Sequence, residues 1–572
     1  MGALFSLNAF RGNLRRLSKQ KGFTLTILLT LGLCIGANIA IFAIVDAILL
    51  KPLPKINSAG LITAYNSYPG AGAEKSSASL PNHFERREAI DAFDSVSIIQ
   101  YGSAIVGEGG SPVRVKRDRV SPEFFETLGV PLLMGRTFTE DEMLYANSRK
   151  AILTYGFWQS YFGGDQEVLG KIFDIEGYSN EVIAVLPQGF RFLSSKAQFY
   201  VPTASNLKDR EPDNRHSNNF FFVARLKDGA TVSIAQSQID AFNAVLLERD
   251  RYASLLKSAG FRTFVKDLRE DHVKTIKPTL LMLQTGVFCL LLIGGVNIAN
   301  LFLIRASSRS KEMAVRQALG AGRGDIMRET LYETLTLTTC GGLIGIGVGA
   351  LGIRLMGVLG IDKLPLGAGI TLDSRVALVA VVGSSIVGIA LAVPVVWFHV
   401  KCQLATALQA ESRGGTVCRN AQRVRHGFIV AQIALTLILL SGAGMLSISL
   451  KRVMEVSPGF NPTNVVAGRI SLPNKRYKEE ADRLAFVDRL IPTVVTIPGV
   501  KRAAIITGLP FGGGSSDNAT NIEGFTYNDE NSIRTHQNSG VKGDYWKLMG
   551  IPMNNPAPRG EVSEECELSI IM

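Results

Sequence analysis

The chain has 572 residues, of which 46% are hydrophobic and 19% are charged, and its formal net charge is +12. This mixture favours membrane spans joined to sizeable soluble domains. The positive excess is concentrated in residues 1–22, 305–330 and 401–427, and each of these segments adjoins an apolar run. That distribution follows the positive-inside rule of membrane proteins and argues against nucleic acid as a partner.

The N-terminal segment predicts a membrane anchor. Residues 1–22 carry five Lys and Arg side chains and no acid, which is typical of an amphipathic lead-in lying on the cytoplasmic leaflet. Residues 23–50 follow as a transmembrane helix, because their apolar run is long enough to span the bilayer. A signal peptide is the alternative, and the sequence disfavours it because no small-residue cleavage site follows the run.

Residues 51–277 are polar and mixed, and they predict an α+β domain that is external if the N-terminus lies inside. Short apolar stretches such as Val96–Ile99 are typical of strands. Val232–Leu247 has the pattern of a helix that Thr231 or Ser233 caps. The segment contains no cysteine, so its own hydrophobic core must stabilise it.

Three transmembrane helices are predicted in the region 278–400, at residues 278–304, 334–353 and 376–400. Residues 305–333 join the first two as a charged, helix-prone elbow that is held close to the bilayer surface. We expect two helical pieces in it, the first ended by Gly320 and the second capped by Asp325. Such an elbow can bind a soluble partner and transmit its movement to the two transmembrane helices that the elbow joins.

The second of these spans is rich in glycine. Gly341, Gly345 and Gly349 recur at four-residue spacing, which places them on one face of a helix. Because this face carries no side chains, another transmembrane helix can approach it closely. We therefore predict a helix-packing role for these glycines.

The rest of the chain begins as the first part does. Residues 401–427 predict a cytoplasmic linker, residues 428–450 a transmembrane helix and residues 451–572 a truncated second external domain. This order of a basic segment, a span and a polar stretch repeats the order at the N-terminus.

Two short motifs also recur. KGF at 21–23 opens the first span and is echoed by HGF at 426–428, while VSPEFFETLGVPLLMG at 120–135 is echoed by VKGDYWKLMGIPM at 541–553. The chain is therefore interpreted as one whole unit followed by the start of a second.

The second unit stops early. After Met553 the residues NNPAPRGEVSEECELSIIM lose the pattern of the first copy. We favour a truncated or frameshifted reading frame, and a genuine short form is the alternative. We also predict that the region after Asn461 is poorly packed, because too little of its domain is present to enclose a core.

No catalytic constellation stands out, so we predict that the protein is not an enzyme and has no catalytic residue, cofactor or metal site. Residues 164–171 resemble a phosphate loop, but five residues separate the glycines where that motif needs four, and Ile172 replaces the Ser or Thr that would hold magnesium. The six histidines are scattered and form no HExxH motif.

Three blocks of this sequence resemble ABC transporter permeases of the MacB/FtsX type. Residues 21–54 are similar to the first span of that family, residues 151–192 to its external core domain, and the elbow to its FtsX-type pattern. The matching elbow residues are Glu312, Arg316, Ala318, Leu319, Gly320, Ala321, Arg323, Ile326 and Glu333. More specifically, the chain resembles the duplicated permeases without an ATPase domain (ADOP type), but it lacks most of the second external domain and the last three spans.

The resemblance implies an α-helical membrane protein with an inserted external α+β domain and a partial second copy. Residues 51–277 would be the MacB-like periplasmic core, and residues 278–400 the FtsX-like permease domain. A multi-pass protein of the bacterial inner (plasma) membrane with a cytoplasmic N-terminus is expected, in contact with the lipid bilayer. A cytoplasmic ABC ATPase would bind in trans, and a second permease copy is a further candidate partner.

The resemblance also implies that the elbow docks on the ATPase. The residues proposed for this coupling are Glu312, Met313, Val315, Arg316, Ala318, Leu319, Gly320, Arg323 and Ile326. Within this set the apolar side chains would form the contact, and the two arginines would form its charged rim.

The leading hypothesis is a permease subunit that exports an unknown substrate by using ATP hydrolysis on a partner. An FtsX-like transmitter that regulates an extracellular enzyme is one alternative, and a truncated, inactive remnant is another. The hypotheses differ in whether an ATPase binds and whether a solute then crosses the membrane.

Overall fold

The computed structural model describes residues 20–51, 56–107, 112–308, 323–358, 375–387, 389–390, 393, 417–473, 475–512, 516–519, 534–552 and 568–571. The chain divides into two compact units, Met1–Lys51 with Val273–Val456, and Pro52–His272 with Ser457–Met572. Membrane-type helices make up the first unit, and the β-sheets lie in the second.

The helices are α1 (Lys21–Val45), α2 (Leu80–Ala89), α3 (Phe124–Thr127), α4 (Tyr155–Phe162), α5 (Val232–Arg249), α6 (Ala253–Ser258), α7 (Leu268–Val273), α8 (Lys277–Ser308), α9 (Arg323–Val358), α10 (Arg375–Val387), α11 (Val417–Glu455), α12 (Glu480–Val495) and α13 (Tyr545–Leu548). The strands are β1 (Leu61–Tyr68), β2 (Ala73–Ser76), β3 (Phe93–Val106), β4 (Val113–Val120), β5 (Met134–Gly135), β6 (Lys150–Leu153), β7 (Ile172–Ile175), β8 (Tyr178–Val185), β9 (Phe199–Pro202), β10 (Phe221–Leu226), β11 (Arg262–Asp267), β12 (Ala467–Ile470), β13 (Ala504–Ile506), β14 (Ser516–Ala519), β15 (Thr535–Asn538), β16 (Val541–Gly543) and β17 (Leu568–Ile571).

Apolar helices dominate the first unit. Within the described residues, those long and apolar enough to cross a membrane are Lys21–Leu50, Lys277–Phe302, Tyr332–Leu355 and His426–Glu455, and α10 is a shorter apolar helix. Much of the predicted span 376–400 beyond α10 lies outside the described residues, as do residues 1–19 of the predicted lead-in and residues 401–416 of the predicted linker. Helix α9 runs unbroken from Arg323 into the apolar run, so Asp325 lies in its first turn rather than at the predicted N-cap.

The apolar helices differ in how much of their surface other helices cover. In α1, 56% of the apolar window is buried inside the protein, whereas none of the corresponding window of α11 is buried. Helix α11 therefore leaves most of its apolar side chains uncovered by the described residues, although Phe428 packs partly against the apolar cluster of the first unit.

The large sheet of the second unit has the strand order β11-β1-β10-β3-β4-β9-β6-β8-β5, with β2 paired to β1 and β7 paired to β3 and β8. Strands β1 and β11 are antiparallel neighbours, with Ile62 opposite Asp267 and Ser67 opposite Arg262. The pairs β4–β9 and β6–β8 are parallel. This mixed sheet with its helices is an α+β fold.

Two apolar clusters hold the large sheet against its helices. One contains Ile98 and Phe222 of the sheet, both fully buried, with residues of α2 and α5. The other surrounds α4, where Trp158 packs near Phe199 and donates its indole N–H to the carbonyl oxygen of Asp165 at 2.8 Å. Burial of each large apolar side chain contributes on the order of 1.5–3 kcal/mol, so these clusters stabilise the domain.

A second, smaller sheet has the order β12-β17-β13-β16, and β14 pairs with β15 separately. Apolar clusters lie on both faces of β13, with Ile505 packed among residues of α12 and Ile506 among residues of α13. The prediction of a poorly packed region after Asn461 is not contradicted, because these two clusters are small: most described residues there are exposed or half-buried, and Phe511 is 88% exposed. Strand β17, in the tail after Met553, was not indicated by the sequence pattern.

Candidate functional site

The predicted coupling elbow lies between α8 and α9. Residues 309–322 are outside the described residues, and they include the proposed coupling residues Glu312, Met313, Val315, Arg316, Ala318, Leu319 and Gly320. Of the remaining two, Arg323 is the first residue of α9 and Ile326 lies one turn into it. What the structure describes is the base of the elbow, where its two ends enter the helices.

Four side chains meet at this base, and we call them the elbow joint: Phe23, Phe302, Arg305 and Glu333. Nη1 of Arg305 lies 2.6 Å from Oε1 of Glu333, and these side chains are only 10% and 16% exposed. The Arg305 guanidinium also lies 4.4 Å from the ring centroid of Phe23, which packs edge-on against Phe302 at 5.6 Å. The joint thus ties the end of α8 to α9 and to the start of α1.

The local sequence accounts for these positions. Arg305 is in the last turns of the apolar helix α8, where a cation interacts favourably with the helix dipole. Breaking an ion pair that is mostly removed from water costs more than breaking an exposed surface pair. The elbow joint therefore fixes the two ends of the elbow relative to each other.

Helices α1 and α9 interlock along the glycine face of α9. An added Cβ atom at Gly341 would lie 2.7 Å from Cβ of Leu31, and one at Gly345 would lie 2.8 Å from Cγ2 of Ile35. At Gly349 the corresponding distance to Cγ2 of Ile39 is 2.9 Å. Because real Cβ atoms do not approach this closely, these three positions require glycine while the helices keep this separation.

The interlock is reciprocal, and sequence reasoning missed its other half. An added Cβ at Gly32 of α1 would lie 2.7 Å from Cγ2 of Ile344, and one at Gly36 would lie 2.7 Å from Cγ1 of Val348. The available signal was the four-residue spacing of Gly32 and Gly36, which matches the spacing in α9. We call the combined surface the glycine seam.

Polar contacts join α1 to α8. The amide of Asn38 donates to the carbonyl oxygen of Val287 at 2.8 Å, and the amide of Gln284 donates to Oδ1 of Asn38 at 3.3 Å. Interhelical hydrogen bonds of this kind help to hold transmembrane helices together. Helices α1, α8 and α9 therefore form one connected set.

The C-terminal end of α1 carries a carboxylate that lies inside the protein. Asp46 is buried, at 5% exposed, and Oδ2 lies 3.5 Å from Nζ of Lys51. The helix changes to a π-helical turn over Asp46–Leu50, which brings the lysine back over the carboxylate. This turn was not predicted.

A polar network lies inside the α+β domain. Arg86 is fully buried and donates to Oδ1 of Asn66 at 2.6 Å and to Oγ1 of Thr263 at 3.0 Å. Burial lowers the pKa of Arg86 to about 10. Within the described part of the chain, no group of His, Cys, Asp and Glu side chains is arranged to hold a metal ion. Because the charge of Arg86 is enclosed by the neutral side chains of Asn66 and Thr263, we assign this arginine a structural role.

The domain also contains a histidine that we expect to make its stability depend on pH. His83 is fully buried, and burial, with Arg87 and Arg210 nearby, lowers its pKa to about 3. Between this value and the unfolded value near 6.5, the unfolded chain binds more protons than the folded chain, so stability falls as the pH is lowered through this range. The slope should approach about 1.4 kcal/mol per pH unit.

The slope of the unfolding free energy against pH is measured by urea unfolding of the full chain between pH 7.5 and 4.5, with hydrogen exchange of the α2 amides as the probe of unfolding. His83→Phe should flatten it, whereas the same change at the exposed His536 should leave it intact. An equal slope in both variants would contradict the assignment to His83.

Comparison with known families gives two matches. A model of the MacB-like periplasmic core domain matches residues 24–242, and a model of the FtsX-like permease C-terminal region matches residues 285–402. The chain belongs to the MacB/FtsX-like permease family. The first match contains α1 and most of the α+β domain, and the second contains the elbow and the glycine seam residues of α9 in this membrane ABC transporter permease.

Proteins similar in sequence to this MacB/FtsX-like permease are themselves named as permeases. The macrolide export ATP-binding/permease protein MacB of Burkholderia thailandensis is 26% identical over 59% of this chain and 51% of its own length. The uncharacterized ABC transporter permease YknZ of Bacillus subtilis is 28% identical over 39% of this chain and 54% of its own length. The chain thus spans about half the length of these relatives.

Two solved structures of isolated domains are also similar. The periplasmic region of MacB from Actinobacillus actinomycetemcomitans is 16% identical and gives a TM-score of 0.28, covering 40% of this chain and 97% of that domain. The extracellular domain of YknZ is 15% identical and gives a TM-score of 0.25, covering 36% of this chain and 99% of that domain.

Proposed function

We propose that this protein is the permease subunit of an ABC-type exporter, in which a separate cytoplasmic ATPase binds the elbow and moves the external domain. The elbow joint is the observation that carries the proposal. A force applied to the elbow reaches α8 and α9 together, because Arg305 and Glu333 fasten their ends at 2.6 Å.

The path from the elbow to the external domain is short along the chain. The glycine seam couples α9 to α1, and the contacts of Asn38 couple α1 to α8. The α+β domain is inserted between α1 and α8, so both of its ends continue into these coupled helices. Rigid elements that share close contacts move together, which is the requirement for mechanical transmission across a membrane.

The proposed setting is the bacterial inner membrane, with the N-terminus in the cytoplasm and the α+β domain outside. The basic segments 1–22, 305–330 and 401–427 support this orientation. The names of the relatives support an ATPase partner, since MacB is an ATP-binding/permease protein and YknZ an ABC transporter permease.

We further infer that α11 and the residues after it are a partial second copy of α1 and the α+β domain. A shared backbone contact supports this. The N–H of Asn57 donates to the carbonyl oxygen of Leu128 at 3.0 Å, and the N–H of Asn461 donates to that of Met549 at 2.8 Å. Leu128 and Met549 occupy equivalent positions in the repeated sequence motif.

The turn that follows is also equivalent in the two copies. Gly129 and Gly550, one residue further on, both have φ of 65°. In the first copy Val130 N–H donates to the oxygen of Phe125, and in the second Ile551 N–H donates to the equivalent oxygen, each at 2.9 Å. Both copies share a glycine with positive φ, the same hydrogen bond at the helix end and a contact from a distant asparagine. This agreement favours duplication over a chance resemblance of two short motifs.

The variant Leu319→Asp tests the proposed function. Purified ABC ATPases of the source bacterium would be titrated, one at a time, against the full chain in lipid nanodiscs. We expect one of them to bind, and a charge in the apolar patch should weaken that binding about tenfold or more. Leu207→Asp, which changes an exposed leucine of the external domain, is the matched control and should bind as the wild type does.

Failure of every ATPase to bind the wild-type chain would contradict the proposal and favour an inactive remnant. Binding and ATP hydrolysis without movement of any solute or lipid in proteoliposomes would instead favour the FtsX-like transmitter.

A further inference from the structure

The middle of the small sheet is filled by a strand from an unexpected part of the chain. In the large sheet, β10 lies between β1 and β3 and is antiparallel to both. In the small sheet, β17 lies between β12 and β13 and is antiparallel to both. The order β12-β17-β13-β16 thus corresponds to β1-β10-β3-β4, with β17 in the position of β10.

The register of the two flanking pairs defines the position of β17. Ile571 lies opposite Ala467 of β12 and also opposite Ala504 of β13. Pairing continues along β12 as far as Leu568 opposite Ile470, and along β13 as far as Ser569 opposite Ile506. The backbone of β17 therefore bonds to neighbours on both sides.

The strand that fills this position is not the sequence counterpart of β10. Strand β10 leads into the turn motif RLKDG at 225–229, which the tail residues ELSIIM at 567–572 do not contain. Five strands of the large sheet, β5 to β9, separate β4 from β10 along the chain, whereas β17 follows α13 after 19 residues, 549–567. The sheet has accepted a different segment at an equivalent position.

The position between β12 and β13 needs a strand for two reasons, the burial of β13 and its backbone hydrogen bonding. Ala504, Ile505 and Ile506 of β13 are at most 3% exposed, and apolar clusters lie on both faces of the strand. Without a neighbour on one side, β13 and β12 would present facing rows of unpaired N–H and C=O groups, which readily bind another strand. Because this pairing uses the backbone, it tolerates different sequences.

We propose that the gap between β12 and β13 is a strand-acceptor site for an extended apolar peptide, and that residues 568–571 are its ligand in cis. The proposal rests on the inferred second copy but not on the ATPase. The site takes a short segment in β conformation, antiparallel to both neighbours. The chain's own tail occupies it, and a peptide of the same sequence supplied in trans occupies it when the tail is removed.

Cross-linking of the full-length chain tests the cis contact without removing any residue. Oxidation of Ala467→Cys with Ile571→Cys should form a disulfide, because these residues lie opposite each other. Ala467→Cys with Ile570→Cys is the matched control, because Ile570 lies opposite Gly468 and not opposite Ala467. Both variants carry Cys566→Ser, and peptide mapping by mass spectrometry identifies the bond. Equal yields in the two pairs would overturn the assignment of β17.

The trans experiment uses the chain that ends at Glu567, in detergent. Hydrogen exchange of the β13 amides should accelerate about tenfold or more relative to the full chain, while exchange in β3 and β10 stays unchanged and reports that the rest is folded. Added peptide ELSIIM should restore protection of β13. The peptide ELPIIM should not, because proline at the position of Ser569 removes a backbone donor.

Ser569→Pro and Ser569→Thr in the full chain provide a second comparison if the shortened chain does not fold. The proline variant should lose protection of β13, and the threonine variant should keep it. Unchanged protection of β13 in the proline variant, or equal rescue by the two peptides, would refute the strand-acceptor site.

Discussion

Gly345→Leu is expected to separate α1 from α9 and to destabilise the membrane unit. A Cβ at this position alone would lie 2.8 Å from Cγ2 of Ile35 and 3.3 Å from the backbone nitrogen of Gly36. A leucine cannot fit unless the helices move apart, and overpacking of this kind typically costs about 1–3 kcal/mol. We expect the midpoint of thermal unfolding in detergent to fall by several degrees.

The same helix provides a matched control. Gly347 is two residues away in α9, and an added Cβ there would have nothing within 4 Å. Gly347→Leu should therefore leave the unfolding midpoint unchanged or raise it, because leucine is a better helix former than glycine. Comparable losses in both variants would indicate that the glycine seam does not depend on close approach at Gly345.

Arg305→Ala is expected to uncouple the elbow from the membrane helices. The Glu333 side chain is only 16% exposed, and breaking a mostly buried ion pair by removing one partner typically costs about 3–5 kcal/mol. On the proposed function, the variant should still bind the ATPase but should lose solute movement coupled to ATP hydrolysis. Measurement of hydrolysis and solute movement in the same proteoliposomes separates these effects.

A double-mutant cycle isolates the pair from the other contacts of each side chain. If the pair acts as a unit, Arg305→Ala combined with Glu333→Ala should lose little more stability than either single change. Strictly additive losses would indicate that Arg305 acts through contacts other than Glu333, of which the Phe23 ring at 4.4 Å is one.

Local patterns predicted much of the architecture. The run Val232–Leu247 forms α5, and Thr231 rather than Ser233 caps it by accepting a hydrogen bond from the N–H of Ile234 at 3.3 Å. Val96–Ile99 lies within β3. These features depend on neighbours a few residues apart, which a single sequence contains.

The contacts that sequence reasoning missed join residues that are far apart in the chain. The glycine face of α9 was visible, but its partner face at Gly32 and Gly36 lies more than 300 residues away. The pairing of Arg305 with Glu333 joins the end of α8 to α9, two separate helices. No periodicity in a single sequence specifies such pairs, because each depends on the packing of whole helices.

The tail illustrates a different limit. Four residues, Leu568–Ile571, form a strand between β12 and β13 although no turn signal or alternation marks them. Unpaired edge groups of a β-strand bond to the backbone of an added strand, so the sequence of the added strand itself carries little information. The buried state of Asp46 was missed for a comparable reason, because the π-helical turn that brings Lys51 over it has no sequence signature.

The pairing of β1 with β11 determines how the α+β domain responds to mechanical load. The chain enters the sheet from α1 near Leu61 and leaves it toward α8 at Asp267, and Ile62 and Asp267 are cross-strand partners. A load that pulled α1 and α8 apart would therefore separate β1 from β11 starting at Ile62 and Asp267. The backbone hydrogen bonds between the two strands would break one after another from that end. A load that moved α1 and α8 together by the same distance would leave these backbone hydrogen bonds intact. The domain therefore tolerates displacement as a whole, but it resists poorly a difference between the displacements of α1 and α8.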